Sequence, residues 1–474
     1  MFRALKWLYP GMRVKRWIAV IFLGVFLSNL GAVALIFGLL AQEPVSASKW
    51  YGWAALCFLL GGVFLLTGVY RLMKSLGELL GKAPSGARAR VADGGDKELV
   101  DIAFEQRYLS LGPRVVALGG GTGMSTLLEG LKEYTSRITA VVSVADDGGS
   151  SGRLRREFDM LPPGDIRKCL VALSDESPLL GKLMQYRFPE PDAAQAEPRN
   201  GATPDGSGRE GPGAREPARV CQAEPLSNLT IGGHSFGNLF LTVLWRLTDD
   251  FAEAVRQAGR ILSIRGRVIP ATLDRVSLVA TYEDGSKVVG QRQISIAAGN
   301  GKAPKRIRRV EIVPNPGPAS REILDAIAAA DLVVVGPGSL YTSVLPNLLI
   351  EGIADAVRRS GALKVYVANL ASHEAETRGF SLKDHIDAIR EHVGELPFDV
   401  VLVNSGSLPP SVERELASSG GRLVTYDPRE FAGDGYGVRF AEADLVSRDS
   451  ALRHDPRKLA RTLVSLLAEE RERA

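Results

Sequence analysis

Residues 114–126 read Arg-Val-Val-Ala-Leu-Gly-Gly-Gly-Thr-Gly-Met-Ser-Thr, and residues 141–153 read Val-Val-Ser-Val-Ala-Asp-Asp-Gly-Gly-Ser-Ser-Gly-Arg. Each is an apolar, β-branched run that stops at a Gly-rich or acidic turn and restarts with a helical pattern. Strands joined through a helix lie parallel, so both turns sit at the carboxyl edge of one sheet. That edge is where open α/β folds receive nucleotides and phosphates. The fold class expected is α/β, a mostly parallel sheet with helices on both faces.

Two apolar stretches precede this sheet. The first runs from Trp17 to Leu40 and the second from Trp53 to Tyr70, neither with an internal charge. At the helical rise they measure roughly 36 and roughly 27 Å, near the thickness of bilayer hydrocarbon. A cleaved signal peptide would need neither this length nor a second span. Arg3, Lys6, Arg13, Lys15 and Arg16 flank the first span and Arg71, Lys74, Lys82, Arg88 and Arg90 follow the second, whereas the connector carries only Glu43 and Lys49. Positive charge marks the cytoplasmic side, so a two-helix hairpin with both ends in the cytoplasm is expected at the inner membrane. The domain limits that follow are a hairpin over 1–75 with spans at about 17–40 and 51–73, a linker over 76–96, and a globular domain over 97–474.

The net charge of +4 over 474 residues is not that of a nucleic-acid-binding surface, and nucleic acid is not an expected partner. Three scattered cysteines exclude a disulfide framework and a thiolate metal site, and fit a reducing compartment. Residues 189–224 contain no Leu, Ile, Phe, Met, Trp or Tyr, so they are expected to be a disordered insertion inside one domain. Elsewhere the pattern predicts a first strand over Val115–Leu118, a helix from about Met124 to Glu133 and a strand over Ile138–Val144. Helices follow at His234–Leu247 and Asp249–Leu262. A small β-hairpin excursion is expected at Ser277–Tyr282 and Lys287–Ser295, with a strand at Arg309–Val313. Alternation resumes with a helix over Ser320–Ala329, strands Leu332–Val335, Lys364–Ala368 and Asp399–Asn404, a helix over Leu382–Val393, a last strand near Leu423–Tyr426 and a closing helix Pro456–Arg471.

Gly119, Gly120, Gly121 and Gly123, with Thr122, Met124 and Ser125, form the first turn, whose amides can approach a phosphate at a helix start. Neither a dinucleotide fingerprint nor a Walker P-loop fits, because Met124 stands where each needs another residue. Asp146 and Asp147, followed by Gly148, Gly149 and Ser150, suit either a Mg²⁺ shared with phosphates and a ribose contact, or a helix cap with a solvated neighbour. Mg²⁺ at these two aspartates is the one metal expectation, and no organic cofactor is expected. Asp165 is a helix cap that brings Arg167 and Lys168 toward an anion.

Asn228 and the run Gly232-Gly-His-Ser-Phe-Gly-Asn238 contribute His234, Ser235 and Asn238. His234 is either an acid or phosphate ligand, or a packed capping histidine. Gly336-Pro-Gly-Ser-Leu-Tyr-Thr-Ser343 is a third strand-to-helix turn, with Gly336, Gly338, Ser339 and Thr342 as candidate contacts. Tyr341 either stacks on a base or belongs to the core. Arg265 and Arg267 either reach a second phosphate or are solvated. The other histidines lack metal-ligand spacing.

With these five motifs in this order, the chain from about Arg114 to Leu467 resembles the gluconeogenesis factor (YvcK-like) family, which is related to the phospholactate transferase (CofD) family. The resemblance implies a Rossmann-like fold. It further implies binding of a UDP-sugar such as UDP-N-acetylglucosamine, with Gly119 to Ser125 at the nucleotide phosphates, and a regulatory role in cell shape and wall synthesis during gluconeogenic growth. Asp146 and Asp147 align with the acidic motif that binds metal in the transferase branch. A second copy of the chain and a cell-wall or regulatory protein are the expected partners. The alternative is an enzyme, a transferase that moves a phospholactyl-type group from a nucleoside diphosphate conjugate to an acceptor. The insertion and the membrane hairpin depart from the simplest soluble members.

Overall fold

The computed structural model describes residues 14–41, 44–81, 108–175, 178–190, 231–296, 305–373, 375–418, 421–431, 435–447 and 452–473. They fall into two compact units, Met1–Leu111 and Gly112–Ala474. Except for Pro189 and Glu190, the expected insertion lies outside the described residues.

The first unit is a hairpin of α1 (Val14–Leu40) and α2 (Pro44–Gly81). Stretches of both, Arg16–Leu40 and Ala47–Lys74, are long and apolar enough to cross a membrane. The second helix runs on to Gly81, through the start of the expected linker. Small residues recur every seven positions on each helix, at Gly24, Gly31 and Gly38 and at Ala54, Gly61 and Gly68. They face one another. A methyl group on Gly24 would lie 2.8 Å from the Leu65 amide nitrogen, and one on Gly61 would lie 2.9 Å from the Gly24 carbonyl oxygen. Backbones this close need glycine, and a seven-residue period keeps the seam aligned along both helices. Phe37 stacks on Trp50 at one end, and Arg71 lies over Trp17 at the other. Outside the seam, Phe22, Phe26, Leu39, Leu59 and Leu66 are exposed, as residues facing lipid would be.

The second unit is built on a seven-stranded sheet of order β10-β9-β8-β7-β1-β2-β3. Its strands are β1 (Val115–Gly119), β2 (Ile138–Val142), β3 (Arg267–Pro270), β7 (Leu332–Val335), β8 (Leu363–Val367), β9 (Val400–Asn404) and β10 (Arg439–Ala443). Every pairing is parallel. Residues of β1 alternate between two cores, Val115 and Ala117 in one and Val116 and Leu118 in the other, so both faces are covered and the central strands are apolar throughout. Between β3 and β7 a three-stranded antiparallel sheet interrupts the alternation, with β4 (Ser277–Tyr282) between β5 (Lys287–Val289) and β6 (Ile307–Val313).

Helix α3 (Gly121–Leu131) joins β1 to β2. Between β2 and β3 lie α4 (Gly149–Phe158), α5 (Gly164–Leu173), α6 (Pro178–Gln185), α7 (Phe236–Thr248) and α8 (Phe251–Ile261). After β5 comes the short α9 (Gln291–Ile296), and α10 (Arg321–Ala328) leads into β7. A π-helical turn, Leu340–Val344, passes into α11 (Leu345–Leu348), and α12 (Ile353–Arg359) precedes β8. Helices α13 (Leu382–Val393), α14 (Pro410–Ser418) and α15 (Pro456–Arg473) complete the unit, α13 starting at a capping box of Ser381 and Asp384.

Two elements differ from expectation. The strand expected over Lys287–Ser295 stops at Val289, because Gly290 takes φ +101° and the Asp147 carboxylate accepts the Arg292 amide at 2.8 Å to start α9. Leu423 makes only an isolated bridge to Ala371, and the last strand is instead β10.

Candidate functional site

The chain winds outward from β1 through β2 and β3, then returns to the other side of β1 as β7. This reversal makes a crevice at the carboxyl ends of β1 and β7, where doubly wound sheets bind ligands. Both Gly-rich turns open there. They touch: a methyl group on Gly123 would lie 2.5 Å from the Pro337 carbonyl oxygen. Asn347 fixes the seam from below by donating its side-chain amide to the Gly119 carbonyl at 2.9 Å and to that of Ser343 at 2.7 Å. Gly121, at φ +65°, begins α3 three residues before the expected Met124, and donates its amide to Asp165 Oδ2 at 2.8 Å. An internal carboxylate therefore already occupies part of the helix start, and Lys168 balances it at 3.0 Å.

On the β2 side, the adjacent aspartates part company. Asp146 accepts the Gly148 amide at 3.0 Å and lies beside Gly164, where an added methyl group would be 2.9 Å from its Oδ2. Burial, and next the charge of Asp165, raise the Asp146 carboxyl above its ordinary range. Asp147 turns away to the start of α9. Asp165, the neighbour of Gly164, is thus the acidic residue whose charge acts on Asp146, while the carboxylate of Asp147 is engaged at the start of α9. Among the described residues no group of three or more His, Cys, Asp or Glu side chains forms a metal cluster. Most of the oxygens that Mg²⁺ requires would have to come from ligand phosphate, Asn or Ser side chains, main-chain carbonyls or water.

Behind this pair the Gly-His-Ser-Phe-Gly-Asn motif builds a buried relay. Ser150 Oγ lies 2.9 Å from His234 Nδ1 and accepts from Asn238 Nδ2 at 3.0 Å, while Arg167 Nε donates to Asn238 Oδ1 at 2.9 Å. Ser235 caps α7. Burial, then Arg153 and Arg187, push the His234 pKa below its ordinary value, so the ring is neutral, and its Nε2 is buried with no partner among the described residues. Four motif residues from three segments thus meet in one network.

On the β7–β8 side, Thr122, Gly123 and Gly338 form one wall of a cleft of about 950 Å³. Asn369, Ser372, His373, Glu376 and His454 line another part of its wall. Glu376 is buried; Thr342 and Ser295 donate to its Oε1 at 2.9 and 3.0 Å, and burial raises its carboxyl above the ordinary range. Sequence reasoning missed this wall. The signal was present, since Asn369-Leu-Ala-Ser-His373 follows a β-branched strand as the Gly-rich turns do, but without glycines it lacked the anion-binding signature.

The profile of the family described as "2-phospho-L-lactate transferase CofD" matches residues 115–446, which hold both flanks of this crevice. The chain belongs to this family. The CofD-family chain is 37% identical over 472 residues to a protein from Nostoc sp. named "Putative gluconeogenesis factor", covering 97% of this chain and 91% of the relative. It is 38% identical over 357 residues to the "Gluconeogenesis factor" of Bacillus subtilis, covering 75% of this chain and 99% of that one. A crystal structure of a Bacillus halodurans protein of the UPF0052 family superposes with a TM-score of 0.62 at 37% identity, over 74% of this chain and 99% of its own.

Several expected site residues of the CofD-family chain lie elsewhere. Arg267 opens β3 and Arg265 precedes it, so both sit at the amino edge of the sheet, opposite the crevice. Arg265 pairs with Asp175, and Arg267 pairs with Glu322 at 2.9 Å. Neither reaches a second phosphate. Tyr341 is packed edge-on against Phe380, and its hydroxyl donates to the Ile307 carbonyl at 3.2 Å, which makes it a core residue and not a base platform. The Met124 side chain is fully buried. Ser125 donates to the Thr122 carbonyl within its own helix at 2.9 Å. Gly149, at φ +46°, borders open space, Gly336 holds φ +78° at the turn, and Ser339 lines the cleft. Asn228 lies outside the described residues.

Proposed function

We propose that this protein is a membrane-anchored regulator that binds a nucleotide sugar of the UDP-N-acetylglucosamine type, with its phosphates at the joined Gly-rich turns and the remainder in the 950 Å³ cleft. The observation that carries this reading is the position of the cleft, which abuts two glycine turns at the reversal of strand order. Such a site accepts an anion at one end and a large neutral body at the other. The two apolar helices would hold the domain at the inner face of the membrane, near lipid-linked wall precursors. The regulator would act in cell shape and wall synthesis during gluconeogenic growth; the names of the relatives, gluconeogenesis factor, accord with the growth condition alone.

The test is the melting temperature of the full chain in detergent with and without UDP-N-acetylglucosamine and Mg²⁺. Ligand at a hundred times its dissociation constant should stabilise the native state by about 2.7 kcal/mol, with the nucleotide recovered intact. No shift with any UDP-sugar would sink the reading. Recovery of the protein in the soluble fraction of lysed cells would sink the membrane anchor.

A second reading, a transferase, is favoured by Asp146, which reaches Gly164 beside Asp165 and feels the charge of Asp165. With Mg²⁺ between them they would balance the charge of a displaced phosphate. Consumption of a nucleoside diphosphate conjugate, lost in Asp146→Asn, would favour it over the sensor.

A further inference from the structure

We propose that His454 is a specificity residue of the cleft, its Nε2 accepting a hydrogen bond from a hydroxyl or amide N–H on the part of the bound nucleotide that carries no phosphate. This rests on the nucleotide-sugar reading and adds to it which chemistry the far wall selects.

His454 lies just before α15 and lines the cleft beside the carboxyl end of β8. One ring N–H is directed at the Ala368 carbonyl, whose residue precedes Asn369 in the same wall. The other nitrogen, Nε2, is buried and has no hydrogen-bond partner among the described residues. Buried polar atoms are nearly always paired, so an orphan in the wall of a large cleft marks a place where a ligand supplies the missing group. Its role follows from the protons. Burial pushes the His454 pKa down to about 4, so the ring is neutral at physiological pH and carries a single N–H, which Ala368 takes. Nε2 is left with a lone pair and can only accept.

That lone pair excludes a phosphate oxygen, which also has only lone pairs to offer. It fits a sugar hydroxyl, an acetamido N–H or a base imide N–H. Glu376, also buried in this lining, accepts as well, from Thr342 and Ser295. The Gly-rich turns differ in kind: Thr122, Gly123 and Gly338 lie at a helix start and a tight turn, whose main-chain amides suit an anion. The cleft therefore offers amides at the turns and a lone pair at His454, which favours the phosphate-free part of the nucleotide at His454.

The experiment is isothermal titration of the full chain in detergent with UDP-N-acetylglucosamine and with UDP, on wild type, His454→Asn and His454→Gln. Asparagine can keep the bond to Ala368 but has no atom at the Nε2 position, whereas the longer glutamine can place an acceptor oxygen there. His454→Asn should weaken UDP-N-acetylglucosamine by about tenfold and His454→Gln by less than about threefold, as for loss and retention of one buried hydrogen bond. Weakening confined to the UDP-sugar places the donor on the sugar, and equal weakening of UDP places it on the base; both support the proposal. Wild-type affinity in both variants, or equal loss in both, overturns it. Should the asparagine variant fail to fold, nitrogen-15 spectra of the five histidines in wild type decide. A non-protonated ring nitrogen must move on addition of UDP-N-acetylglucosamine or UDP, and no movement overturns the proposal. Failure of wild type to bind either probe removes the nucleotide-sugar reading itself, an outcome distinct from unaffected variants.

Discussion

Asp146 and Asp147 are adjacent in the chain, and their carboxylates serve different parts of the molecule. Because burial and Asp165 raise the Asp146 pKa, the folded state holds a proton there more tightly than the unfolded chain does. The sign follows: this carboxyl costs stability at neutral pH, and the cost is relieved as pH falls through its raised folded value. Asp146→Asn should therefore raise the melting temperature at pH 7.5 while removing any Mg²⁺ dependence of nucleotide binding; a lowered melting temperature would count against the charge repulsion. Tyr341→Phe should cost about 1 kcal/mol in urea unfolding, from the lost bond to Ile307, and leave nucleotide affinity unchanged. Gly123→Val should separate the two turns and abolish the ligand-induced shift, since its methyl groups would enter the space of Pro337. The identities of these residues were legible because glycine and aspartate after a β-branched run report their own backbone. Their partners were not, because which carboxylate meets Asp165 depends on where α5 and α9 pack. Arg267 is a different case. As the first residue of a strand it belongs to the amino edge, which the order of residues already implies.

At the scale of elements, the seam of the N-terminal hairpin makes a sharp prediction. A Cβ on Gly31 would lie 3.2 Å from Cys57 Cβ, slightly inside the usual disulfide separation. Gly31→Cys should therefore oxidise to a disulfide with the native Cys57 in membranes, read as loss of two maleimide-reactive thiols. Adding Gly61→Leu should abolish it by forcing the helices apart; persistence of the disulfide would refute the seam. The helices themselves were legible from hydropathy and length. The matching of their faces was written in the seven-residue spacing of glycines, a signal that an average over a window erases. The strand β10 escaped because Arg-Phe-Ala-Glu-Ala lies at the sheet edge, half-buried, with no continuous apolar run. The stretch Leu423–Tyr426 has that run and packs without joining the sheet.

Taken whole, the molecule holds four buried histidines in a neutral state. Burial lowers the pKa of His234, His385, His392 and His454, the last to about 4. The unfolded chain protonates them near pH 6.5, the folded chain only further down. Stability they lend is complete above about pH 6.5 and is lost as pH falls below it, for His454 down to about 4. The urea midpoint of the full chain, followed by circular dichroism, should drop between pH 7 and pH 5; a flat profile would show that the rings are accessible. The sheet was legible at this scale because its strands are continuous apolar runs ending in punctuating turns. The far wall of the cleft was not, because Asn369 and His454 are brought together only by the docking of α15.

The glycine seam also bears on descent. Each helix of the hairpin fills the groove of the other, so a chain that kept one alone would leave a bare strip of backbone with nothing packed against it. Partial loss is thus penalised more than complete loss, and the hairpin should be inherited as an indivisible cassette.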